Sequence, residues 1–118
     1  KSGKIPWVSF SDDNIKSLNG HPIFIDFTAD WCVSCKAFEK TVLETDEVKS
    51  AFQEHHIVPM KADNTKPDKE IKAWLDRYKR AGVPFYIVIP ADQCKENIVL
   101  GEAITKSSVM EAIKKGKL

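Results

Sequence analysis

The order of apolar and polar positions along the chain alternates between two rhythms. Ile5 to Phe10 alternates around Trp7 and predicts a short strand; Ser11-Asp12-Asp13 is a good helix-capping cluster, and the brief helix it opens ends at Asn19-Gly20. Ile23 to Phe27 is apolar on both phases except at Asp26 and predicts a buried strand. From Cys32 to about Leu43 the apolar residues Val33, Phe38 and Val42 predict a helix, and a second helical piece, about Asp46 to Gln53, follows Thr45 as its cap.

Ile57 to Ala62 predicts the next strand, with Asp63-Asn64-Thr65 as a loop. Pro67 opens a helix whose residues Ile71, Trp74, Leu75 and Tyr78 share one face, and Lys79, Arg80 and Gly82 close it. Phe85 to Ile89 and Asn97 to Leu100, read as separated by Pro90-Ala91-Asp92-Gln93, predict an antiparallel hairpin. Thr105 to Lys115 predicts the last helix, with Ser108 and Glu111 spaced as a capping box. The order β-α-β-α-β-α-β-β-α implies an α/β fold, a mixed sheet covered by helices on both faces.

Composition bounds the possibilities. A chain of 118 residues is enough for one domain, expected to span 1–118. The formal net charge of +1 gives no reason to expect a nucleic acid or an anionic membrane as partner. The longest apolar run, Val83 to Ile89, is far short of the roughly 20 residues a bilayer span needs, so no direct membrane insertion is expected. The chain begins at Lys1 without a signal-like segment, which is read as a processed product or a piece cut from a longer protein. Three cysteines are too few for a disulfide scaffold.

The chemistry concentrates at Trp31-Cys32-Val33-Ser34-Cys35-Lys36, a C-x-x-C where the buried strand ends and a helix begins. A helix opening at Cys32 directs unpaired N–H groups and its positive dipole end at that sulfur, favouring the thiolate that attacks disulfides. Cys32 is therefore expected to be the exposed nucleophile, and Cys35, one turn inside, the more buried resolving thiol. The alternatives are a structural disulfide or half of a zinc site. Zinc would draw on His55, His56 and Cys94, none at the spacing of a finger or ribbon, and no metal is expected.

Phe24-Ile25-Asp26-Phe27-Thr28-Ala29-Asp30-Trp31-Cys32-x-x-Cys35-Lys36, followed downstream by Gly82-Val83-Pro84, resembles the thioredoxin superfamily over essentially the whole chain. The resemblance implies a thioredoxin fold with a mixed five-stranded sheet. Within the superfamily, the Val33-Ser34 dipeptide, the preceding Ala29-Asp30-Trp31 and the following Lys36-Ala37-Phe38-Glu39-Lys40 are most similar to the C-terminal domain of the DsbD family, transmembrane thiol:disulfide interchange proteins of bacterial envelopes. Ser34 departs from the Ala common there. That likeness implies a periplasmic, monomeric domain excised from an inner-membrane protein, a protein-disulfide reductase without cofactor. It would take electrons from the membrane-embedded domain and pass them to the N-terminal domain and other protein disulfides, with cytochrome c maturation among the processes served. The rival readings are a free-standing general thioredoxin and a non-catalytic binding or metal-carrier module of the same fold.

The remaining site residues follow from both lines. A carboxylate at Asp26 is costly to bury without cause; beneath the cysteines it could exchange a proton with Cys35, the alternative being a side chain turned to solvent at the strand end. Glu39, four residues after Cys35, lies on nearly the same stripe as Cys32 and is either a second carboxylate near the sulfurs or a solvated helix residue. Two such carboxylates would disfavour the Cys32 thiolate and make the pair an electron donor. The resemblance implies a cis Val83–Pro84 bond facing the cysteines, and a partner groove lined by Trp31, Val33, Ser34, Val83, Pro84 and Gly101, with Glu102 a departure from the small apolar residue often found. Trp74 is expected in the core, Lys36 as a weak charge partner or a solvated lysine, and Cys94, His21, His55 and His56 at the surface.

Overall fold

The computed structural model describes residues 4–117, so the two ends of the expected 1–118 domain lie outside the described residues. The element order is β1 (Val8–Ser9), α1 (Asp12–Ser17), β2 (Ile23–Thr28), α2 (Val33–Phe38) continued by a π-helical turn (Glu39–Leu43), α3 (Asp46–Glu54), β3 (Val58–Asp63), α4 (Lys69–Arg77), β4 (Phe85–Ile89), β5 (Ile98–Gly101) and α5 (Lys106–Gly116). The strands form one sheet in the order β1-β3-β2-β4-β5. β1, β3 and β2 run parallel, and β4 and β5 are antiparallel to their neighbours, giving the expected mixed five-stranded sheet.

β2 and β4 are buried along their whole length, as their nearly unbroken apolar sequences require at the centre of a sheet covered on both sides. On one face Phe24, Tyr86 and Val88 pack with Leu43, Phe52 and Val109 from the helical segments around α3 and α5. On the other, Ile25, Phe27, Phe85 and Ile87 pack with Ile15 of α1 and Ile71, Trp74 and Leu75 of α4. Trp74 is core, as expected, and its indole N–H donates to Asp12 Oδ1 at 3.0 Å.

Several boundaries differ from the sequence reading, each for a local reason. β1 covers only Val8–Ser9 instead of Ile5 to Phe10: Pro6 has no N–H to give a ladder, and the Trp7 N–H turns back to the Ile5 carbonyl at 3.0 Å. Asp68, not Pro67, begins the fourth helix, its carboxylate accepting from the Ile71 N–H at 3.0 Å. That helix closes at Lys79, which takes φ +59°, while the Arg80 N–H reaches the Leu75 carbonyl at 2.9 Å; Gly82 is not the terminator. In α5 the capping box joins Thr105 and Ser108, one turn earlier than the Ser108–Glu111 pair. The helix predicted to run unbroken from Cys32 to Leu43 widens at Glu39, whose carbonyl accepts from the Glu44 N–H five residues on, at 2.7 Å.

Candidate active site

The end of β2 delivers Asp26 beneath a loop that carries Ala29 to Cys32, and α2 starts immediately after it. Cys32 is the N-cap of α2: its backbone is extended (φ −89°, ψ 102°), and its Sγ accepts from the Cys35 N–H at 3.2 Å. Cys32 and Cys35 form a disulfide with their Cα atoms 5.3 Å apart. The Ser34 hydroxyl lies 3.7 Å from Cys32 Sγ.

The order of burial is as expected, Cys32 at 6% exposed and Cys35 at 0%, but Cys32 is far less open than a nucleophile at a helix start was expected to be. Its sulfur is turned inward to Cys35, and both cysteines pack with Ala29 and Val83. The residues flanking them are open instead: Trp31 is 63% and Val33 83% exposed, a large apolar surface around a small window on the sulfur.

The Val83–Pro84 bond is cis, and Val83 packs against the disulfide. Arg80, just before this loop, pairs with Glu102, just after β5, at 3.4 Å, so an ion pair spans the two loops flanking the cis bond. Lys36 lies 3.8 Å from Asp30. Cys94 is an exposed free thiol in the β4–β5 connection, away from the paired cysteines in sequence and on its own turn. His55 and His56 end α3, and among the described residues no three His, Cys, Asp or Glu side chains converge as a metal site.

A single row of residues crosses the sheet: Lys61 on β3, Asp26 on β2, Tyr86 on β4 and Gly101 on β5 are successive register partners. Gly101 thus stands two strands from Asp26, with φ +95°. Asp26 is fully buried and does not turn to solvent at a strand end. Among the described residues no donor reaches either of its oxygens or Glu39 Oε2, and Tyr86 Oη finds no partner.

Asp26 and Glu39 face one another at hydrogen-bonding range, which two ionised carboxylates cannot satisfy and one shared proton can. Burial pushes the Asp26 carboxyl well above the usual carboxylate range, and the hydrogen bond and charge of Glu39 push it further; Lys61 and Lys36 oppose the shift. Burial, Asp26 and Glu39 likewise raise the Tyr86 phenol. The structure therefore brings Asp26 and Glu39 together. It adds Tyr86 and Lys61, for which the sequence signal is a lone polar group within otherwise apolar strands.

The shape of this site and the sheet around it are those of a thioredoxin-like domain, and the family model for thioredoxin-like proteins matches residues 16–91. The chain belongs to the thioredoxin-like family. More narrowly, it is similar to the thiol:disulfide interchange protein DsbD of Haemophilus influenzae (strain PittEE), 34% identical over 94 residues that cover 79% of this chain and 15% of that protein. DsbD of Ralstonia nicotianae is 32% identical over 90 residues, covering 75% and 14%. The oxidised C-terminal domain of Neisseria meningitidis DsbD superimposes with a TM-score of 0.66 at 25% identity, over 90% of this chain and 89% of that one. A Thermus thermophilus thioredoxin, at 15% identity and a TM-score of 0.66 over 92% and 85%, shares the fold. The chain spans about 15% of the length of the curated DsbD relatives it matches. It is a DsbD-related thioredoxin-like domain whose paired cysteines suit it to thiol–disulfide exchange.

Proposed function

We propose that this chain is the electron-donating domain of a longer DsbD-type membrane protein, a protein-disulfide reductase working in the periplasm. Reduced Cys32 attacks a partner's disulfide, and Cys35 displaces the partner from the mixed disulfide, leaving the Cys32–Cys35 bond found here. A membrane-embedded domain of the same protein returns the pair to the dithiol, and the acceptors are its N-terminal domain and, through it, proteins such as those of cytochrome c maturation. No cofactor is required, because the two sulfurs carry both electrons, and the isolated domain acts as a monomer.

The observation that carries this reading is the buried acid pair behind the cysteines. Asp26 and Glu39 would set negative charge against a Cys32 thiolate, since Glu39 stands one turn after Cys35 and interacts with Asp26, and a reduced state so disfavoured would give up its electrons readily. Trp31, Val33, Ser34 and the cis Val83–Pro84 loop would form the partner's seat, an extended segment pairing with the exposed edge of the Val83 backbone. The Gly101 turn would close its far side.

Equilibration of the isolated chain with glutathione redox buffers tests the direction of flow. The expected potential lies nearer thioredoxin's, about −270 mV, than that of the oxidant DsbA, about −120 mV. A value above about −180 mV, in the isomerase range, overturns the reductant assignment. Failure to reduce insulin in the presence of a dithiol would favour a binding module of the same fold.

A further inference from the structure

A second opening reaches the site from the side. At the sheet edge under α2 lies a cavity of about 320 Å³ whose wall includes Trp7, Lys36, Glu39, Lys40, Glu44 and Lys61. Trp31, Cys32, Val83 and Pro84 take no part in that wall, so the cavity is separate from the partner's seat. Charged side chains stand in its wall beside Trp7, and it is large enough for several waters. Glu39 belongs to both places: its residue forms part of the cavity wall, its Oε2 is buried without a donor among the described residues, and its carboxyl interacts with Asp26. The π-helical turn starts at this same residue.

The resolving step makes a demand that this arrangement meets. Cys35 attacks the Cys32 sulfur of the mixed disulfide; the Cys32–Cys35 bond forms, the bond to the partner breaks, and its electron pair leaves on the partner's sulfur. The Cys35 proton must leave for the thiolate to attack. Cys35 has no exposure, and at that moment the partner covers Trp31, Val33 and the cis-proline loop. The front is closed to water when the proton has to move.

We propose that Glu39 is a proton relay from Asp26 to the lateral cavity, so that the Cys35 proton exits through the side of the sheet while a partner protein occupies the front. The pair gives up its shared proton to cavity water through Glu39 and takes the Cys35 proton at Asp26, so that it ends the step with one proton, as it began. Lys61 from β3, whose Nζ sits 4.9 Å from the centre of the Trp7 ring, and Lys36 from α2 face the pair as its cations, and Tyr86 from β4 as its neutral neighbour. Trp7 thereby holds the Lys61 ammonium at the cavity. Glu44 is engaged elsewhere, accepting from the Ile5 N–H at 3.3 Å and pairing with Lys49 at 3.6 Å. The relay rests on the exchange chemistry proposed above.

The test is a single-turnover measurement of mixed-disulfide resolution against pH, with a protein disulfide (insulin) and a small one (oxidised glutathione), for wild type, Glu39→Gln, Glu39→Ala and Asp26→Asn. Loss of charge alone moves the midpoint of the profile; loss of a relay lowers its plateau. With insulin, Glu39→Gln and Glu39→Ala should lower the plateau about tenfold, the modest end of general acid–base effects, and with glutathione, which leaves the front open to water, by much less. Added formate should restore Glu39→Ala through the lateral cavity and leave Asp26→Asn unaffected. Plateaus within about twofold of wild type on insulin for both Glu39 variants overturn the relay, as does equal formate rescue of Asp26→Asn. Absence of exchange by the wild-type chain refutes instead the function on which the relay rests.

Discussion

Replacing Asp26 by Asn should stabilise the oxidised domain, and by an amount that grows with pH. Asp26 is buried without a protein donor and faces a second carboxyl, so its folded-state carboxyl is held well above the usual carboxylate range by burial first and by Glu39 second. In the unfolded chain the same group titrates near about 3.9. Between those two points the folded state binds more protons than the unfolded state, and stability falls as pH rises; below the unfolded value both states are protonated and the contribution is fully present. Asn cannot ionise and escapes the loss. The free-energy advantage of the variant should therefore climb by up to about 1.4 kcal/mol per pH unit above about pH 3.9 and level off once pH passes the folded carboxyl. Each kcal/mol corresponds to about 4 °C in Tm for a domain of this size. Urea unfolding of both proteins in small pH steps gives the two curves. Glu39→Gln in the wild-type background removes the second cause of the shift, and the wild-type loss should level off at lower pH. Parallel curves for wild type and Asp26→Asn across the whole range would show that Asp26 ionises freely in the fold, and the acid pair would lose its electrostatic role.

Two further outcomes follow from the geometry. In the reduced protein, iodoacetamide near neutral pH should modify Cys32 before Cys35, and Cys35→Ser should accumulate a mixed disulfide through Cys32; mass spectrometry of the alkylated peptide decides the order, with Cys35 first contradicting the assignment. Gly116→Ala should cost about 1–3 kcal/mol in chemical denaturation, because its methyl group would stand 2.7 Å from Val88 Cγ1 at the contact of α5 with β4, and an unchanged midpoint would mean that the helix shifts freely.

How much of this was legible from the sequence depended on the range of the interaction involved. β2 and β4 could be read directly, since a strand covered on both faces must be apolar on both phases, and Asp26 stood out as the exception within one of them. The cysteines were legible because a helix start is announced by local signals. The break at Glu39 was not: Glu39-Lys40-Thr41-Val42-Leu43 contains nothing that marks a wider turn. The two helix ends at Lys79 and His56, at φ +59° and +55°, were hidden as well. A left-handed cap favours glycine, and here an exposed lysine and an exposed histidine take its place, each turn closed by the next residue's N–H, Arg80 to the Leu75 carbonyl and Ile57 to the Phe52 carbonyl. Lys61 and Tyr86 escaped notice because their relation to Asp26 exists only through the register of three strands, and alternation within one strand does not specify its neighbour's offset.

The site sets two fields against each other at one sulfur. The Cys35 N–H, 3.2 Å from Cys32 Sγ, and the opening of α2 favour a thiolate and are fixed by the backbone. The acid pair opposes it, and that opposition is not fixed, because it depends on how many protons Asp26 and Glu39 share. When both are ionised, the Cys32 thiolate is most disfavoured and the dithiol most ready to be oxidised. In the proposed relay, a proton delivered from Cys35 to the pair would cancel one negative charge at the moment sulfur charge must be tolerated nearby. A carboxylate on a solvated helix face would be screened from this exchange; a buried, donorless one cannot avoid it. Under the proposed function, the same burial that costs the fold stability at neutral pH would link electron release at Cys32 to proton movement at Cys35.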